Sequence, residues 1–384
     1  MKTWGSVVIT LAIVIITSIV SVNMWAEEEE VIAEDLQLKI TAEMTVAEFG
    51  ETNALSKTLL KDVFDLQSPE QMQEPLTSFG MSLDQLELKV NKQHALATED
   101  ATKNWFKIPL KFSLWFLFMV ICFVVLLKKK TTKNTRLILY GLSFTIFGII
   151  LGADPSPMGT VKDAIVLYAS KGVIFKPRMV AFAIFILTVI LANKFICSWG
   201  CQLGTLQDFI FRLNRNSKDS GRGSLPQFKI PFVVSNSIRV LFLVALVWVA
   251  FVWAYDISHE IDPFKIFKPM KMSFIGWIFI PGILVLSLFV YRPWCHLFCP
   301  FGLIGWLFEK LSLYRIKVDY DKCISCYACD KACPSPVMGT ILKRDKVVIP
   351  DCFSCGNCIE SCPADAVSFA FGKREKPPVG KLVD

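Results

Sequence analysis

Cys323-Ile324-Ser325-Cys326-Tyr327-Ala328-Cys329-Asp330-Lys331-Ala332-Cys333-Pro334 is followed, after a short interval, by Cys352-Phe353-Ser354-Cys355-Gly356-Asn357-Cys358-Ile359-Glu360-Ser361-Cys362-Pro363. Both stretches carry three cysteines two residues apart, a fourth after three more, and then proline. An iron–sulfur cubane needs four thiolates at the corners of a tetrahedron. Three closely spaced cysteines wrap one loop around three irons, and the fourth reaches across to the other cluster. The expected sets are therefore Cys323, Cys326, Cys329 and Cys362 for one [4Fe–4S] cluster, and Cys352, Cys355, Cys358 and Cys333 for a second. Each proline stops its helix from running back into the loop. Structural zinc sites use two pairs of ligands, not a triplet with an outlying fourth repeated twice. The stretch thus reads as a small α+β, two-cluster, bacterial-type ferredoxin domain over 319–371, with a tail at 372–384.

Four of the remaining cysteines lie just upstream. Cys197-Ser198-Trp199-Gly200-Cys201-Gln202-Leu203-Gly204 and Cys295-His296-Leu297-Phe298-Cys299-Pro300-Phe301-Gly302 repeat cysteine, cysteine and glycine at an offset of 98. Leu213 and Leu311 keep that offset, and Asp154-Pro155 has a counterpart in Asp262-Pro263. Two helix pairs in one orientation, each ending in Cys-x3-Cys, read as a tandem duplication. If each motif is helical, its cysteines share a face, which sets four sulfurs together at the membrane surface before the ferredoxin begins. Three readings stand: a third metal or cluster site, redox-active thiols, or reduced packing residues. Trp199 and His296 join them as a candidate quinone neighbourhood. Cys122 stands alone within an apolar run and reads as packing.

The ferredoxin is attached to a membrane domain. Of 384 residues 53% are hydrophobic, the mean hydropathy is +0.48, and the apolar residues are blocked into runs. Six segments have about the length of a span, roughly 5–25, 107–127, 136–152, 178–196, 231–255 and 273–291. The expected layout is an N-terminal, uncleaved membrane anchor at 1–25, a small extracytoplasmic helical domain at 26–105, and a transmembrane domain at 106–318. Asn23-Met24-Trp25-Ala26 lacks the small-x-small pattern of a cleavage site. Basic residues orient the chain: Lys128–Arg136 and Arg212–Lys229 flank the membrane on the cytoplasmic side. Alternating spans then put the ferredoxin in the cytoplasm, where disulfides are disfavoured. Residues 26–105 hold 17 acidic and 6 basic side chains, and Thr45 and Ser82 are candidate N-caps there.

Several chemistries are excluded. Three histidines, none paired at matching depth, leave no bis-histidine haem. No Cys-x-x-Cys-His is present for covalent haem, and no nucleotide-binding glycine motif occurs. Basic residues cluster beside apolar segments, which argues against nucleic acid and for membrane lipid as the partner. His94 reads as a surface residue.

With these residues in view, positions 136–371 resemble the membrane-bound NapH, NosR and CcoG kind of 4Fe–4S polyferredoxin. The resemblance rests on paired Cys-x3-Cys motifs at helix ends followed by a two-cluster ferredoxin. It implies a multi-pass protein of the cell's inner membrane that relays electrons between a quinone pool or cytoplasmic donor and a partner redox enzyme, one such partner being extracytoplasmic. Such a chain would serve as a quinol dehydrogenase-type subunit of an electron-transfer complex. The alternative is an assembly or maturation factor that reduces a metal or thiol on a client respiratory enzyme. Two departures stand out: Gln202 follows Cys201 where the family usually has proline, and residues 26–105 carry no covalent flavin attachment site.

Overall fold

The computed structural model describes residues 2–22, 36–41, 43–101, 103–215, 218–343 and 349–382. Residues 23–26, where no cleavage pattern was expected, and the acidic run Glu27–Glu30 lie outside them. Helix α1 (Lys2–Val22) comes first, followed by a small domain of α2 (Val46–Thr52), α3 (Lys57–Phe64) and α4 (Leu83–Ala101). Thr45 caps α2 in a reciprocal box with Glu48, and Ser82 exchanges hydrogen bonds with Gln85 at the start of α4. Val46, Phe49, Leu60, Val63, Phe64, Leu86 and Val90 give this domain its own core.

Among the described residues nine α-helices follow: α5 (Lys107–Leu127), α6 (Lys133–Phe144), α7 (Pro157–Lys171), α8 (Lys176–Ala192), α9 (Gln202–Arg212), α10 (Phe232–Trp253), α11 (Phe274–Leu286), α12 (Pro293–Leu297) and α13 (Pro300–Phe308). Among the described residues three helices are long and apolar enough to cross a membrane: Trp4–Ser21, α5 and α10. Phe116, Leu117 and Val120 on α5, and Val233, Leu241 and Trp248 on α10, stay exposed. Apolar faces of this extent suit lipid rather than water.

Of the other three expected spans, α11 covers only Phe274–Leu286, and two are shorter because their helices open. After α6 the backbone widens into a π turn over Thr145–Ile150, and a second π turn over Ile196–Gly200 follows α8. Such turns free backbone carbonyls, which must find other donors where water is absent. Gln202 donates to Phe147 O at 3.0 Å and Ser21 to Ile149 O at 2.5 Å. Ser143 donates to Trp199 O at 2.7 Å and Trp115 to Gly200 O at 3.0 Å. The breaks are thus built into the packing.

In the ferredoxin, β1 (Tyr314–Val318) pairs antiparallel with β2 (Val367–Phe371), Ile316 opposite Phe369. The buried face alternates Ile316, Val318, Val367 and Phe369, as a half-buried sheet requires. Short helices α14 (Ala328–Ala332), α15 (Val337–Lys343) and α16 (Asn357–Glu360) complete it. Phe369 sits 5.5 Å from the Phe123 ring of α5, so the sheet seats directly on the membrane helices.

Candidate redox site

The two cysteine loops have the same backbone. Residues Ser325 and Tyr327 in the first, and Ser354 and Gly356 in the second, adopt positive φ at 55°, 54°, 49° and 77°. Left-handed residues alternating with ordinary ones curl the loop and turn its amides toward one concave side, an anion-binding nest. One concavity is lined by Cys323, Cys326, Cys329 and Cys362. The other is lined by Cys352, Cys355, Cys358 and Cys333. Each therefore gathers three cysteines of its own loop and the fourth from the other. Ala366 N–H points at the Cys362 sulfur, 3.3 Å away. Thiolates, inward amides and a cavity of that shape fit an iron–sulfur cubane. Among the described residues no three of His, Cys, Asp and Glu are gathered closely enough to hold a single metal ion.

The surroundings of the loops differ. Cys326 is exposed, whereas Cys352 and Cys358 are buried. The second loop is pressed onto the membrane helices by a layer of buried charge. Lys194, at the end of α8, meets Asp351 at 2.5 Å, and Arg239 of α10 meets the other carboxylate oxygen at 2.8 Å. Burial works to raise the Asp351 carboxyl, but Lys194 and Arg239 outweigh it and hold it below the ordinary range. Arg292 and Arg212 share Asp208 at 2.6 and 2.7 Å. The Arg292 guanidinium also lies 4.9 Å from the Phe353 ring, and Arg212 donates to Asn357 at 3.1 Å. Arg136 reaches Cys355 O and pairs with Glu360. Glu309 lies in the same layer, and burial lifts its carboxyl to about 8 against the pull of Lys194.

The upstream cysteines sit directly beneath. Cys197 lies in the π turn and Cys201 caps α9; Cys295 lies in α12 and Cys299 caps α13. No continuous helix carries either pair, so the expected shared helical face is replaced by a break between the two cysteines. Trp115 stands twelve residues before Leu127, the end of α5 that meets the ferredoxin, so its bond to Gly200 O lies about 18 Å down that helix from the ferredoxin side, deeper than the expected membrane surface. Trp199 is buried and donates to Ser354 O at 3.2 Å. The His296 ring lies 5.1 Å from Phe353, beside Cys352. Cys122 is fully buried in the helix core. His94 is half-buried on α4, and His259 is exposed beside Glu260 and Lys265.

Two features escaped the sequence. One is the cationic layer, whose residues look like ordinary charges flanking apolar segments. The other is a cavity at the opposite end, against the small domain. Its charged lobe joins the halves of the repeat-like region crosswise: Lys268 holds Asp154 at 2.6 Å, and Lys162 holds Asp256 and Asp262 at 3.1 and 3.3 Å. An adjoining lobe is lined by Trp105, Ile108, Phe112 and Phe175 together with Asp163 and Arg178. The two Asp-Pro pairs were the one signal for it.

Comparison with known proteins agrees with this site. Residues 315–363 match the family model described as a 4Fe–4S dicluster domain. The model of a 4Fe–4S binding domain matches twice, over 177–218 and 272–318, each stretch containing one Cys-x3-Cys motif. YccM of Escherichia coli (strain K12), a protein named for electron transport, is 29% identical over 170 residues, covering 41% of this chain and 46% of YccM. MJ0749 of Methanocaldococcus jannaschii is 24% identical over 154 residues, 40% of this chain and 56% of that protein. Regulatory protein NosR of Pseudomonas aeruginosa is 26% identical over 113 residues, 28% of this chain and 15% of NosR. The chain spans about half the length of the curated relatives it matches. No solved structure matches it.

Proposed function

Because the chain belongs to the NapH/NosR-type 4Fe–4S family, we propose that it relays electrons across the membrane surface through two [4Fe–4S] clusters. Cys323, Cys326, Cys329 and Cys362 hold the outer one; Cys333, Cys352, Cys355 and Cys358 hold the one seated on the membrane helices. The observation that carries this reading is the pair of concavities, each lined by one triplet and the other triplet's fourth cysteine. A cluster in each would give two one-electron stations in series. The clusters supply reversible one-electron transfer. The chain supplies the nests that hold them, the aromatic and cationic seat that fixes their distance to the membrane, and shielding of the inner one from water.

Six spans, a tandem origin of the two Cys-x3-Cys halves, and a cytoplasmic ferredoxin complete the reading, supported by the basic loops beside α5 and α9. The donor is a cytoplasmic protein or a quinol, and the acceptor a partner redox enzyme. The quinol reading attaches better to the cavity beside Trp105, Ile108 and Phe112, an apolar mouth next to the charged groups Asp163 and Arg178, than to the tightly packed Trp199 and Cys295. The maturation-factor reading rests on no separate observation here.

The test is ligand exchange read by EPR on anaerobically purified protein. Cys323→Ser and Cys362→Ser should disturb the same cluster signal, and Cys333→Ser and Cys352→Ser the other. Cys362→Ser acting on the Cys352 signal instead would overturn the assignment. Quinol added to the membrane-reconstituted chain should reduce both clusters; no reduction by any quinol removes the quinol branch alone.

A further inference from the structure

The two cysteine loops differ in what lies on them. Aligned by their cysteines, Ser325 matches Ser354 and Tyr327 matches Gly356. In the second loop the membrane helices cover both positions. Ser354 O accepts the Trp199 indole N–H at 3.2 Å. At Gly356 an added Cβ would stand 2.6 Å from the Thr131 hydroxyl and 2.9 Å from the Leu126 side chain. The end of α5 and the turn after it thus close on the loop there.

In the first loop the chain's own C-terminal segment takes the same two positions. Ser325 Oγ donates to Lys381 O at 2.7 Å, and the Tyr327 hydroxyl donates to Leu382 O at 3.2 Å. Lys381 Nζ returns a hydrogen bond to Tyr320 O. Leu382 is buried in the main core and lines the concavity of Cys323, Cys326, Cys329 and Cys362. Tyr327 has a left-handed backbone, φ 54°, the conformation that glycine adopts freely and holds in the second loop. A large ring is therefore kept where the backbone favours none. That ring lines the concavity and carries the hydroxyl that latches the segment.

The path of the segment makes it releasable. After β2, Gly372 N–H donates to Leu313 O at 2.9 Å, and Arg374 Nε donates to Ile316 O at 2.9 Å, so its start is fixed beside β1. Residues 375–376 and 378–380 then stand exposed, outside any helix or strand. Gly380, φ 82°, turns the chain back so that Lys381 and Leu382 dock. An exposed arm held by one apolar anchor and a few side-chain hydrogen bonds belongs to the low-stability end of a fold, where local opening costs far less than global unfolding.

We propose that residues 375–382 form a releasable cover on the solvent-side cluster, taking at Ser325 and Tyr327 the place that Trp199, Leu126 and Thr131 take on the membrane-side one. Closed, it keeps water off the cluster's Tyr327 face and leaves exchange with a soluble partner to the rim at Ile324 and Cys326, which stays exposed. Released, it opens a second face to water. The cover rests on the reading that Cys323, Cys326, Cys329 and Cys362 hold a cluster.

The test compares the anaerobically purified chain with a variant ending at Arg374. Bathophenanthroline disulfonate, a water-soluble iron chelator, is added, and both cluster EPR signals are followed in dithionite-reduced aliquots. The signal of the Cys323 set should decay several-fold faster in the variant, and that of the Cys352 set at the parent's rate. The midpoint potential of the first cluster alone should rise, because water stabilises its more negative reduced state. Unchanged decay and potential overturn the proposal. Equal acceleration of both signals overturns it too, since that is general loosening of the ferredoxin. Should the shortened chain not assemble clusters, two full-length variants replace it. Leu382→Ser removes the plug, and Ser325→Ala with Tyr327→Phe removes the latch while keeping the ring. Each should speed loss of the first cluster alone, and failure of both to do so overturns the cover. A parent that lacks the first signal overturns the two-cluster reading, and the cover with it.

Discussion

The ferredoxin's two loops are near copies in sequence and backbone, yet one faces solvent and the other is clamped to the membrane helices. Aligned by their cysteines, Lys322 corresponds to Asp351, Ile324 to Phe353 and Cys326 to Cys355. In the first loop Lys322 and Ile324 are exposed; in the second Asp351 and Phe353 are buried under Lys194, Arg239, Arg292 and His296. The cysteines make the cavity, and the residues between them decide where it sits. One loop is open to solvent and the other is packed on the membrane helices, so the exchange of two or three side chains gives unequal surroundings to an otherwise symmetric module.

The largest break in that comparison comes from Asp351. Asp351→Ala leaves Lys194 and Arg239 buried without their carboxylate, a loss of about 3–5 kcal/mol. The bleaching temperature of cluster absorbance in detergent should fall sharply, whereas Lys322→Ala should leave it unchanged. Equal shifts in the two variants would show that the seat is not what distinguishes the loops. Phe353→Leu is milder. It removes ring contacts with Tyr291 and His296 and the Arg292 contact, together about 1–2 kcal/mol. Ile324→Leu should cost nothing measurable in the same assay.

The cluster motifs were legible because their chemistry is local: eight cysteines at fixed spacing carry the fold of 319–371 in their own order. The capping residues Thr45 and Ser82 were legible for the same reason, since a cap reads only three residues ahead. The breaks after α6 and α8 were not. An apolar run looks alike whether its helix continues or opens, and what fixes the opening is Ser21, Trp115, Ser143 and Gln202, donors from distant segments. Among the described residues three helices reach spanning length where six apolar segments were expected, and two of the three shortfalls lie at these breaks. The seat was equally hidden. Lys194 and Asp351 are 157 residues apart, and a lysine at the end of an apolar run normally reads as a flanking charge. Gln202, noted only as a departure from proline, proves to supply a donor to Phe147 O, which proline could not.

The smallest expected effect is also the one that bears most directly on electron flow. Arg292 lies against Phe353, one residue from Cys352, and a nearby cation stabilises the more negative, reduced cluster. At an effective dielectric of about 20, removing one charge about 10 Å away amounts to about 70 mV for a one-electron couple. Arg292→Gln should therefore lower the midpoint potential of the membrane-side cluster by roughly that much, with the solvent-side cluster held within error, as read by EPR-monitored redox titration. Lys331→Gln is the matching change beside the first loop, but Lys331 is exposed and screened by water and salt, so its cluster should barely move. Arg292→Gln shifting both clusters alike would mean that the two stations share one electrostatic environment. The difference between the loops would then be one of access alone, with no potential step to drive electrons toward the membrane.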